Sequence, residues 1–140
     1  MSENYKIILN YIKDMSVEIP DAETLILARN NISKYSMGVG ITSKPLKNKM
    51  IEVNTKLTYT DPEKKKKKVF FEILYATVVN ILDKNIDKIT LEKIILCDLQ
   101  IKIYPKLETI FINILKNSGF PNIKFEKKID FEKLYNSRLN

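Results

Sequence analysis

The chain of 140 residues has no histidine and one cysteine, Cys97. Without imidazole, the commonest general base, proton shuttle and metal ligand is missing. One thiol with no histidine cannot assemble a zinc site. A lone cysteine also excludes an internal disulfide and fits a reducing compartment, so a cytoplasmic location is expected. No apolar run approaches the roughly 20 residues of a membrane-spanning helix, so membrane insertion is not expected. The opening residues Met1 to Lys6 lack the basic start, apolar stretch and cleavage site of a secretory signal, and none is expected. Only three glycines are present. Gly38-Val39-Gly40 has neither a third glycine nor a following helix start, which excludes a phosphate loop; strand glycines more often mark a bulge or a close backbone approach. Cys97 falls in an apolar helical stretch beside Asp98 and reads as a small buried hydrophobe, not an activated thiolate. Asp83 with Asp87, and Glu92 with Glu108, have no spacing that marks a reaction. No catalytic residue, metal or cofactor is expected, and the chain is not expected to be an enzyme.

What is present begins with charge. The formal net charge is +7, but five of the positive charges form one run, Lys64 to Lys68. Without that run the rest of the chain carries only +2, so the excess is local and not a basic face. Like charges in such a run repel and keep it extended, as at a solvated hairpin tip. The run could also meet phosphates. No arginine cluster or interleaved aromatic platform accompanies it, so nucleic acid is not the expected partner.

The first half alternates as strands do. Tyr11, Met15, Val17 and Ile19 alternate with Ile12, Asp14, Ser16 and Glu18, with only Lys13 out of step. Tyr35 to Thr42 and Ile51 to Tyr59 repeat the period of two, which suits a sheet with one covered face. Thr60-Asp61-Pro62-Glu63 is a turn signal leading to a fourth strand, Val69 to Val79. That strand is apolar on both sides: Val69, Phe71, Ile73, Tyr75 and Val79 on one, and Phe70, Leu74, Ala76 and Val78 with Glu72 on the other. Cover on both sides points to association between copies, or else to a central strand enclosed within one chain.

The second half changes period. Thr90 is expected to cap a helix from Leu91 to about Leu99, with a break before Pro105, which would then open a longer helix. Leu107, Ile110, Phe111, Ile114 and Leu115 mark its packed face, and Gly119 with Pro121 ends it. Asp130 is expected to cap a last helix carrying Phe131, Leu134 and Tyr135 on one side. No repeat, linker or second domain is visible, so one domain over residues 1–140 is expected. Strands first and helices last give an α+β layer fold.

These residues resemble the SecB family of protein-export chaperones from Tyr11 to Leu139. Tyr11-Ile12-Lys13-Asp14-Met15-Ser16-Val17-Glu18-Ile19-Pro20-Asp21-Ala22 is similar to that family's opening strand. Phe70-Phe71-Glu72-Ile73, Ile103-Tyr104-Pro105, and the segment from Gly119-Phe120-Pro121 to Asp130-Phe131-Glu132-Lys133-Leu134-Tyr135 follow in the family's order. The resemblance implies a four-stranded antiparallel sheet with C-terminal helices packed on one face, assembled as a homotetramer, a dimer of dimers. It implies a holding chaperone that keeps unfolded preproteins export-competent and delivers them to the SecA motor of the translocase. It places subunit contacts on Phe71, Ile73 and Tyr75. It suggests Phe131, Leu134 and Tyr135 as walls of a groove for unfolded chain, with ordinary core of the last helix as the alternative, and Asp14, Glu18, Phe70 and Glu72 as the surface that docks SecA. The chain departs from the family in charge, since most members are strongly acidic. Two other functions stand beside export: a SecB-like chaperone dedicated to a toxin–antitoxin system, and a nucleic-acid-binding domain using the lysine run.

Overall fold

The structure, a computed structural model, describes residues 4–64, 66–125 and 128–138. Lys65 of the lysine run and Leu139, where the family resemblance ends, lie outside the described residues. In chain order the elements are β1 (Tyr5–Glu18), α1 (Ala22–Asn30), a 3-10 turn (Ile32–Lys34), β2 (Ser36–Pro45), β3 (Met50–Thr60) and β4 (Phe70–Ile81). Then come α2 (Lys88–Lys93), a π-helical turn (Ile94–Asp98), α3 (Leu99–Lys116) and α4 (Phe131–Arg138). The four strands form one antiparallel sheet in the order β1-β4-β3-β2. This is the α+β architecture expected from the sequence.

Because β1 and β2 are the two edges, the chain between them must cross the sheet, and α1 lies in that crossing. No helix was expected there. Asp21 caps it, its Oδ1 accepting from the Thr24 backbone N–H at 2.7 Å. Leu25-Ile26-Leu27-Ala28 is an unbroken apolar run, so the helical stripe that would reveal the element is absent.

Strand β1 begins at Tyr5, well before the expected Tyr11. The irregularity at Lys13 is a β-bulge: Ile12 faces Tyr75 and Asp14 faces Leu74, with Lys13 the extra residue. A bulge shifts the alternation, so Tyr11 shares a face with Asp14, not with Met15 as simple counting has it.

The helical half is more continuous than expected. Asp87, not Thr90, caps α2, its Oδ1 accepting from the Thr90 N–H at 2.6 Å. The helix then runs through the π turn into α3 with Pro105 in its interior, so neither the break nor the fresh start occurs. Proline removes one donor and frees the carbonyl four residues back. That residue, Ile101, is exposed, and water can serve its carbonyl. The α3 stop is as expected: Gly119 adopts φ +103°, and the Phe120 N–H reaches the Leu115 carbonyl at 3.1 Å.

The helices cover the sheet face that carries Val53, Leu57, Phe71, Ile73, Tyr75 and Val79. Leu99, Leu107, Phe111 and Leu115 of α3 close this core and are fully buried with them. Phe71 meets Phe120 edge-on at 5.7 Å. Each such side chain contributes about 1.5–3 kcal/mol on burial.

Candidate functional site

Three surfaces remain once the core is closed. The first is a groove of about 200 Å³ between edge strand β2 and helix α4, lined by Val39, Ile41, Leu96, Phe131, Leu134, Tyr135 and Ser137. Alternation on β2 sends Val39 and Ile41 to the helix side, beside Met37. Leu96 comes from the π turn. A π turn widens the helix and frees a carbonyl, and here Gln100 answers it, Nε2 donating to the Ile95 carbonyl at 3.1 Å. Helix α4 begins at Asp130 as expected, Oδ1 accepting from the Lys133 N–H at 3.0 Å.

All three groove residues named from the sequence thus meet in one place, with different roles. Phe131 and Tyr135 are buried and form the wall; Phe131 packs edge-on against Tyr104 at 5.4 Å. Leu134 is 48% exposed and forms the rim. Sequence reasoning missed Val39, Ile41 and Leu96. The alternation of β2 shows which face Val39 and Ile41 take, but not that β2 is an edge.

The second surface is the sheet face without helices. Asp14 stands opposite Leu74, Ser16 opposite Glu72 and Glu18 opposite Phe70, so Asp14, Glu18, Phe70 and Glu72 share this face. Lys56 approaches Glu72 at 3.8 Å and offsets part of its charge. Further along, Glu52 accepts from Lys13 Nζ at 2.7 Å and from the Tyr11 hydroxyl at 3.0 Å. These hydrogen bonds, the one from Lys13 foremost, hold the Glu52 carboxyl below its ordinary range. The bridge reaches from β1 to β3, across β4, where Ala76 is fully buried. Hence this side of β4, apolar in sequence, is partly covered within the chain itself.

The third surface is β1. Phe71, Ile73 and Tyr75, expected at subunit contacts, are 0%, 0% and 2% exposed beneath the chain's own helices. In the single chain they are core residues. Ile8, Leu9, Tyr11, Ile12, Met15 and Val17 stay exposed along β1: Ile12, Met15 and Val17 on the helix side, which the helix layer does not reach, and Leu9 and Tyr11 on the bare face.

Among the described residues, no three His, Cys, Asp or Glu are grouped to hold a metal ion, and no helix is long and apolar enough to cross a membrane. Cys97 is buried, and burial followed by the charge of Asp98 pushes its thiol pKa up.

Comparison with known proteins agrees with this architecture. The family described as preprotein translocase subunit SecB matches residues 1–140. A chain of Pelagibacter ubique (strain HTCC1062) that carries the SecB name is 56% identical over 140 residues, covering 100% of both chains. The protein-export protein SecB of Xanthobacter autotrophicus is 26% identical over 133 residues, 95% of this chain and 83% of that one. Among solved structures, a Mycobacterium tuberculosis SecB-like chaperone, in complex with a ChAD peptide from the HigA1 antitoxin, superposes with a TM-score of 0.60. It does so at 8% identity over 89% of this chain and 91% of that one, a likeness of fold. The chain therefore belongs to the SecB family of preprotein translocase subunits, which gives it a chaperone role in protein export.

Proposed function

We propose that the protein holds non-native preprotein segments in the groove between β2 and α4 and passes them on to SecA. The observation that carries this reading is an apolar groove beside an unpaired sheet edge. An edge strand offers backbone N–H and C=O groups to an added strand, and side-chain pockets beside it admit every second residue of that strand. A volume of about 200 Å³ accepts one aliphatic or aromatic side chain at a time, not a whole ligand. One buried Leu or Phe contributes about 1.5–3 kcal/mol without regard to neighbouring sequence. Such a site retains many clients weakly and releases them without nucleotide.

On this reading Asp14, Glu18, Phe70 and Glu72 are the docking surface for SecA, and three carboxylates around one ring suit a basic peptide. Self-association to a tetramer uses the exposed apolar row of β1 in place of Phe71, Ile73 and Tyr75. The test is suppression of aggregation of an unfolded protein by purified chain. Leu134→Glu puts a charge on the groove rim and should weaken suppression severalfold with folding intact. Equal suppression by the variant removes the groove from the mechanism. Asp14→Ala with Glu18→Ala should lose SecA binding while keeping suppression.

A further inference from the structure

Neither the groove nor the acidic row uses the lysine run. In the fold Lys64, Lys66, Lys67 and Lys68 lie in the β3–β4 turn, beside helix α1. Lys67 Nζ pairs with Asp21, the α1 cap, at 3.0 Å, and Lys68 Nζ donates to the Asp61 carbonyl at 3.4 Å. Among the described residues no ion pair engages Lys64 or Lys66, and both are exposed. From Asp61 to Lys68 the chain carries two carboxylates and five lysines, a net charge of +3.

Beside this charge lies bare aliphatic surface. Ile26 and Leu27 of α1 are 59% and 62% exposed, the most exposed large apolar side chains after Ile89 among the described residues. Leu27 lines a cleft of about 190 Å³ with Lys67 and Lys68, which puts aliphatic groups and cations on the same corner. Arg29, exposed on the same helix, adds a further positive charge. The Asp21–Lys67 pair fixes the turn against the helix, so the two features are presented together.

We infer that this corner docks on an anionic membrane surface. The lysines meet lipid phosphates, and Ile26 and Leu27 enter the interfacial region. Each lysine near an anionic leaflet raises affinity about fivefold, and a shallow apolar insertion supplies the second signal that stable attachment needs. Nucleic acid fits the corner less well. Two exposed aliphatic side chains gain nothing from a phosphodiester backbone, and Tyr35, the ring lining the cleft, is already packed against Tyr59 at 5.5 Å. The corner lies apart from the groove, and such docking brings the chaperone to the membrane without a protein receptor.

The experiment is co-sedimentation of the full chain with vesicles of phosphatidylcholine alone or mixed with phosphatidylglycerol. Binding should require phosphatidylglycerol and fall steeply with salt. Lys64→Ser with Lys66→Ser should weaken it by roughly 25-fold. Ile26→Ser with Leu27→Ser should weaken it several-fold and leave the salt dependence in place. All these positions are exposed, and unchanged circular dichroism and aggregation suppression serve as controls for folding. Absence of binding to the mixed vesicles overturns the inference, as does equal binding to phosphatidylcholine alone. It is also overturned if the Ile26/Leu27 variant binds as the parent does while single-stranded DNA competes with the vesicles, the pattern of a general polyanion site.

Discussion

Thr55 and Gln100 are joined by a hydrogen bond of 2.9 Å in the middle of the core, hydroxyl to side-chain carbonyl, and neither residue is exposed at all. With its amide nitrogen on the Ile95 carbonyl, Gln100 ties the π turn to strand β3. The turn in turn carries Leu96 into the groove. A buried polar pair thus registers the helical layer on the sheet at the place where the groove is built.

Replacing Gln100 with leucine leaves the Thr55 hydroxyl and the Ile95 carbonyl without partners. Each orphaned buried group costs about 1–3 kcal/mol, so urea unfolding should show a loss of that order. The double variant Thr55→Val with Gln100→Leu should recover part of it, because both partners are then apolar. A double variant as unstable as the sum of the single ones would mean that the two groups act separately.

Gly119 combines two constraints. Its φ of +103° disfavours any side chain, and an added Cβ would stand 2.8 Å from Leu25 Cδ2 on the crossing helix. Gly119→Ala should cost about 1–3 kcal/mol, seen as a lowered melting temperature. If Leu25→Ala restores part of the loss, the clash is the larger share; if not, backbone strain is.

Asp21 titrates low, at about 2 against an ordinary 3.8, because it accepts hydrogen bonds from Thr24 first and from Lys67 after that. A depressed carboxyl stabilises the fold above its unfolded pKa, and the contribution is lost as pH falls through the folded value. The tie between α1 and the lysine turn should therefore be complete above pH 4 and lost between pH 3.8 and about 2. Carboxyl NMR titration of Asp21 measures the midpoint directly; a value near 3.8 would show that the cap and the pair are not formed in solution. Asp21→Asn should keep the cap and lose only the pair with Lys67.

Strand β1 exposes Met15 and Val17 on the helix side of the sheet, beyond the reach of the helices. If the proposed tetramer forms through this edge, light scattering should give four times 16.4 kDa for the parent, and Met15→Lys with Val17→Lys, which puts charge there, should shift the mass toward a smaller species. Circular dichroism should stay unchanged, since both side chains are solvent-facing in the single chain. An unaltered tetramer would place the contact elsewhere.

Much of this was legible in the sequence because it is local. Period-two alternation marked β2, β3 and β4, and even the Lys13 bulge showed as a break in the rhythm. The 3.6-residue pattern from Leu107 to Leu115, the Gly119 stop and the Asp130 cap marked the helical ends. The motif opening at Tyr11 pointed to the family, and alternation put Asp14 with Glu18 on one side of β1 and Phe70 with Glu72 on one side of β4; only the β1–β4 register joins the two pairs on one face.

Tertiary structure decided the rest, because strand order and the reach of the helix layer depend on contacts between distant residues. Period two says that Phe71, Ile73 and Tyr75 share a face, but not whether helices of the same chain or a second copy will cover it. Only the order β1-β4-β3-β2 makes β2 an edge, which turns Val39 and Ile41 from core-like residues into groove lining. Local rules also place a break before Pro105. The solvent side of a long packed helix tolerates it, because burial of Leu99, Leu107, Phe111 and Leu115 outweighs one missing hydrogen bond.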